Sequence, residues 1–184
     1  MINKNKLFRQ AHIYVSLFFL PCALLFAITG IAYIFGLNQD AGLKQEKFVL
    51  SKNIQKGEEQ SVLLEFLKEN KLKIPSNTEL KINKRDGSFE MGGTHYSVSL
   101  KNKGDIYEVS LKTRSFLGDM IMLHKDKAGW YFSVLSVGFG LCLLMLYFSG
   151  LMITLFASKK DRNKQYFVLG TGFLITILLA YLSL

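Results

Sequence analysis

Residues 13–37 read IYVSLFFLPCALLFAITGIAYIFGL, twenty-five positions without one charged side chain. A helix rises about 1.5 Å per residue, so roughly 20 apolar residues cross a hydrocarbon core about 30 Å thick. The run is long enough to span. Two further uncharged runs share its character, residues 129–158 and 166–184. A cleaved secretory signal competes for the first run because Lys4, Lys6 and Arg9 precede it, but a signal's apolar region is only about 7 to 15 residues. The expectation is a retained span. The fold class expected is therefore membrane α-helical, with three transmembrane helices (13–37, 129–158, 166–184) and a small α+β domain over residues 38–128.

Orientation follows from basic residues in short flanks, because long loops translocate largely regardless of charge. The tail, residues 1–12, carries Lys4, Lys6 and Arg9 without an acid, and the link 159–165 carries Lys159, Lys160, Arg162 and Lys164 against Asp161. Both are expected in the cytoplasm, which puts residues 38–128 and the carboxyl terminus outside a bacterial inner membrane. The intervening domain has sixteen Lys and Arg against thirteen Asp and Glu, so most of the formal charge of +9 lies in the two flanks. The basic balance reports topology and gives no argument for nucleic acid. Cys22 and Cys142 both fall inside the spans and read as small apolar packers, so the exported domain has no disulfide available.

Within residues 38–128 a polar linker runs to about Gly57, with one short strand expected at Lys47–Leu50. Val62, Leu63, Phe66 and Leu67 then share one face of a helix of about twelve residues, opened by Glu58 and Glu59 and closed before Pro75. Alternation follows at Leu80 and Ile82, a turn at Arg85–Gly87, and alternation again at Phe89 and Met91. A hairpin pairs Tyr96, Val98 and Leu100 with Ile106, Tyr107, Val109 and Leu111 about a turn at Asn102–Gly104. One helix over three or four antiparallel strands makes a two-layer α+β domain. The edge at Tyr96–Lys101 is expected to be open to a partner strand.

Three stretches resemble the PepSY-associated transmembrane protein family. Phe8 to Tyr14, running on to Leu25, Thr29 and Gly30, is similar to its entry helix, where a histidine opens the span and a Thr-Gly pair sits near the far end. Asp105 to Leu111, continuing through Leu117, Gly118 and Asp119, is similar to its closing hairpin with a glycine turn. Met122, Leu123, His124 and Lys125 to Gly129, with Gly138, Leu141, Ser149 and Gly150, are similar to the Leu-His opening of its second helix. The chain looks like one half of a PepSY-type di-haem membrane reductase with a helix added.

That resemblance implies a haem b cofactor, with His12 and His124 as axial ligands meeting metal through the haem iron. It also implies electron transfer across the membrane, either as a haem-dependent ferric reductase or as an electron-transfer subunit, with ferric iron, free or held by a siderophore, as substrate. His12 and His124 are expected at opposite ends of the spans and so cannot share one haem. A homodimer about a twofold axis along the bilayer normal would pair each with its copy, through Ser136, Gly138, Gly140 and Gly150 as a small-residue surface; a redox partner subunit is the other expectation.

Bland readings stand beside these. His12, next to the basic tail, and His124, between Leu123 and Lys125, also read as ordinary interfacial residues. His95 falls on a strand edge after Gly92 and Gly93, where solvent exposure is the default and metal ligation the minor reading. The span aromatics read as packing and interfacial anchors, and Pro21 as a kink freeing the carbonyl near Leu17. Asp105, Glu108 and Asp119 read as solvated strand charges before they read as a cation site. Phosphate loops, zinc-spaced cysteines and nucleophile elbows are missing, which argues against a hydrolase. A non-enzymatic accessory protein, its exported domain binding a protein partner, is the alternative; metal or copper handling without haem is a third.

Overall fold

The computed structural model describes residues 4–51, 54–84, 86–104, 106–152 and 161–184. Arg85, Asp105 and the end of the second apolar run with its basic flank, 153–160, lie outside the described residues. Three helices are long and apolar enough to cross a membrane, over Arg9–Ile34, Trp130–Leu151 and Arg162–Ser183. The chain forms two compact units, Met1–Cys22 with Leu135–Leu184, and Ala23–Val134.

Helix α1 spans Lys4–Ile34 and passes through Pro21 without a break in its assignment. It begins well before residue 13, because Lys, Arg, Gln and Ala of the tail are good helix formers and extend the span's helix into the flank. In the first unit the early part of α1 meets α4 (Trp130–Leu151), where Phe19 and Phe139 pack with ring centroids 5.8 Å apart. A Cβ added at Gly138 would lie 3.8 Å from Phe19, whereas one at Gly140 would meet nothing within 4 Å. Two residues apart is about 200° around a helix, so these glycines face opposite ways and do not make one small-residue surface. Helix α5 (Arg162–Ser183) starts four residues before the apolar run, again through helix-forming polar residues, and buries none of its side chains.

In the second unit the sheet has five strands in the order β1-β5-β4-β3-β2, all antiparallel neighbours. They are β1 (Lys44–Leu50), β2 (Lys81–Ile82), β3 (Phe89–Gly92), β4 (Tyr96–Asn102) and β5 (Tyr107–Thr113). The sheet exceeds the three or four strands expected because β1 pairs along its whole length, from Lys44 opposite Thr113 to Leu50 opposite Tyr107. Lys44, Gln45 and Glu46 show no alternation, so sequence pattern marks only the second half of that strand. Strand β4 lies between β5 and β3, so Tyr96–Lys101 is no open edge; β1 and β2 are the edge strands.

Helix α2 (Glu59–Glu69) lies over one face and buries the four residues its periodicity singles out, Val62, Leu63, Phe66 and Leu67, against Met91, Val98, Leu100, Val109 and Leu111. A nine-residue helix, α3 (Phe116–His124), follows β5 where the sequence reads as a glycine turn. Its start is capped by Ser115, whose hydroxyl accepts from the Gly118 amide at 3.1 Å and donates to the Ala41 carbonyl at 2.5 Å. Gly118 is needed for close approach: a Cβ there would sit 2.8 Å from the Gln39 carbonyl oxygen. His124 therefore ends α3 and does not open α4.

The turn from β2 to β3 is fastened by Asp86, which accepts from the Ser88 hydroxyl at 2.7 Å, the Ser88 amide at 3.3 Å and Lys101 at 3.2 Å. Chiefly the Ser88 bonds, then Lys101, hold its carboxyl down at about 2. A lowered folded value means a contribution present above the ordinary carboxylate range and lost as pH falls from about 4 through 2. NMR titration of the sheet domain in the full chain should find Asp86 still ionised at pH 3, and Asp86→Asn should abolish the associated shift of the Ser88 amide. Leu67 is fully buried, so Leu67→Ala should reduce hydrogen-exchange protection of the β4 amides by about 2–5 kcal/mol; a change under about 0.5 kcal/mol would contradict the core assignment.

Candidate functional site: two histidines held by hydroxyls

A serine or threonine in an apolar helix satisfies its hydroxyl hydrogen on the carbonyl three or four residues back. Ser149 on α4 does so, donating to the Leu146 carbonyl at 2.9 Å. Its oxygen is also 3.3 Å from Nδ1 of His12 on α1. While its hydrogen stays on that carbonyl the oxygen accepts, and the ring that matches it is His12 protonated at Nδ1. In a neutral imidazole the lone pair then sits on Nε2.

The second unit repeats the arrangement. Thr29 on α1, buried at 1% exposure, donates to the Leu25 carbonyl at 2.6 Å, with the Phe26 carbonyl at 3.3 Å. The same oxygen lies 2.6 Å from Nδ1 of His124, the last residue of α3. The same logic gives an Nδ1-protonated ring with the lone pair on Nε2. Phe26 packs against that ring at 4.6 Å between centroids, and a Cβ at Gly30 would stand 4.0 Å from its Cε1. Thr29 thus holds the ring and Gly30 leaves room for it, a division of labour that makes sense of the adjacent pair.

The surroundings of the two differ. His12 borders an apolar groove of about 510 Å³, with Val15, Cys142, Met145 and Phe148 among its walls, and a second of about 370 Å³ beside Leu143 and Tyr147. His124 is half-buried between Thr29 and Phe26. A hydrogen bond on one ring nitrogen is the ordinary way to orient a histidine whose other nitrogen binds metal. Both rings therefore suit ligation by Nε2, and the groove gives His12 room for a flat apolar group.

His95, in the turn between β3 and β4, is exposed and pairs through Nδ1 with Asp119 of α3 at 2.6 Å. Arg114, after β5, donates to the Thr94 carbonyl at 2.5 Å and tightens the same corner. Among the described residues no three His, Cys, Asp or Glu converge as a metal-binding group. Glu108 pairs with Lys47 at 3.4 Å, away from Asp119, so these two form no acid cluster. Cys22 and Cys142 are free thiols. Ser149 and Thr29, quoted among the stretches that carry the resemblance, hold the two rings; a search for ionisable residues alone passes over them, and the signal for them is a hydroxyl placed in an otherwise apolar helix.

No protein-family model matches the chain, and no curated protein or solved structure is significantly similar to it.

Nitrogen-15 spectra of histidine-labelled protein should show His12 and His124 as Nδ1-protonated tautomers. Thr29→Val, which keeps the shape and removes the acceptor, should release His124 into mixed tautomers at a cost of about 1–3 kcal/mol, while Thr29→Ser should retain the wild-type pattern. An Nε2-protonated ring at either position in the wild type would contradict the anchoring.

Proposed function

We propose that the chain is a haem-binding subunit of a bacterial inner membrane that passes electrons outward to ferric iron or its chelates. The observation that supports this reading is the repeated hydroxyl anchor, which gives Nδ1 of His12 and of His124 a partner and leaves Nε2 for ligation. Bound haem b would supply one-electron chemistry; the chain's part is to hold the ring iron by these imidazoles, fix their orientation through Ser149 and Thr29, and exclude water with apolar walls. The three apolar helices and the helix-on-sheet domain are in keeping with a PepSY-associated membrane protein whose amino terminus is cytoplasmic and whose residues 38–128 and carboxyl terminus are exported.

On that topology the two histidines belong to opposite faces of the membrane, and each would hold its haem together with a residue from elsewhere. A twofold dimer, each histidine meeting its copy, supplies one. The unburied side chains of α5 and the open Gly140 are available for such an association.

A second reading is favoured by the sheet's edge. Strand β1 is paired on one side only and exposes Val49 at 64%, so a non-enzymatic accessory role, in which an exported partner adds a strand to β1, has a definite place. Deleting the strand-pairing capacity by Val49→Pro would then abolish co-purification of that partner.

Detergent-extracted protein from haem-supplemented cells should show a b-type absorbance spectrum, with about half the haem lost in either His12→Ala or His124→Ala and nearly all in the double variant. A colourless wild-type preparation would refute the redox reading and leave the accessory one.

A further inference from the structure

Helix α2 ends at Glu69, and the chain beyond it leaves one end of the two-layer domain open. Beneath that end lie the start of β1 and the end of β5, where Lys44 stands opposite Thr113 and Glu46 opposite Leu111. A cavity of about 290 Å³ opens there, floored by Leu72, Leu111 and the Tyr96 ring and rimmed by Lys44, Lys71 and Lys73. Glu46 is its single acid. Among the described residues, none of the three lysines nor Glu46 has an oppositely charged side chain within ion-pair distance. Three cations against one anion leave the rim at a formal +2.

The floor is fixed in place. Tyr96 donates its hydroxyl to the Lys73 carbonyl at 2.6 Å, and the Lys73 ammonium lies 5.4 Å from the centre of the Tyr96 ring. Lys71 has φ +53°, the left-handed conformation usual just after a helix and cheapest for glycine or asparagine. A lysine accepts that backbone here and lines the cavity. Complementing the helix dipole would account for a cation at the end of α2. It does not account for Lys44 arriving from β1, nor for an apolar floor between the charges.

We propose that this open end binds a carboxylate-bearing ligand, its acid group held by Lys44, Lys71 and Lys73 and its apolar portion resting on Leu72, Leu111 and Tyr96. An organic acid can cover the apolar floor that inorganic phosphate would leave bare, and the volume suits a metabolite-sized body. The carboxylate belongs either to a free organic acid or to the carboxyl terminus of a peptide. The site is independent of haem.

The test uses the full chain in detergent, with citrate, a short peptide lacking acidic side chains, its carboxyl-amidated form and inorganic phosphate as probes. Acetylation rates of individual lysines are read by mass spectrometry, and affinities by titration calorimetry. A saturating carboxylate should slow modification of Lys44, Lys71 and Lys73 several-fold while leaving Lys81 unchanged. Replacing all three lysines by Gln should weaken binding at least tenfold, and so should added salt. Lys71→Gly, which relaxes the backbone and removes the ammonium, should weaken binding severalfold in a chain that still folds. Protection by citrate assigns the site to free acids; protection by the peptide and not its amide assigns it to chain termini. Phosphate protecting as well as the carboxylates, or no selective protection by any probe, overturns the proposal. His12→Ala and His124→Ala should bind as the wild type does, so failure here and failure of the haem reading are separate results.

Discussion

A hydroxyl inside an apolar helix has one hydrogen, and the backbone carbonyl three or four residues back is an acceptor always within its reach. Once Ser149 and Thr29 have given theirs to Leu146 and Leu25, each can offer only lone pairs, and a neighbouring imidazole must present N–H to it. In that arrangement His12 and His124 are oriented through Nδ1 without any charged partner. In a low-dielectric surrounding this is an economical way to prepare a ligand, since a carboxylate in the same place would carry a heavy desolvation cost.

The same constraint shapes the second unit. Helix α3 is pinned at both ends: Asp119 in its first turn pairs with His95 of the sheet, and His124 in its last turn is held by Thr29 of α1. Ser115 and Gly118 set the helix against the segment that follows α1, the former by bonding the Ala41 carbonyl and the latter by lacking a Cβ against Gln39. The sheet domain is thus joined to the latter part of α1 by side-chain bonds as well as by the chain.

Much of this was legible in the sequence and some was not, for identifiable reasons. The uncharged runs mark three helices long enough to span because length and hydropathy need no tertiary information, and the buried face of α2 follows from spacing alone. The first half of β1 escaped because Lys44 to Glu46 carry no alternation; their strand is imposed by pairing with β5. Helix α3 escaped because Gly118 reads as a turn, whereas its role is to admit the Gln39 carbonyl, a contact between distant segments. The candidate histidines stand out as the few ionisable groups near the spans. Thr29 and Ser149 fall within the stretches that carry the resemblance, but their part as anchors does not show there, since a serine or threonine in a helix looks the same whether its oxygen serves a ring or nothing.

The central claim, that both imidazoles offer Nε2 to haem iron, is tested most directly by electron paramagnetic resonance of the oxidised, haem-loaded protein. A low-spin ferric signal of the bis-imidazole type is expected, with nitrogen couplings from histidine that change on Thr29→Val and on Ser149→Ala as the rings lose their orientation. A purely high-spin signal, or a low-spin signal indifferent to both hydroxyls, would contradict it.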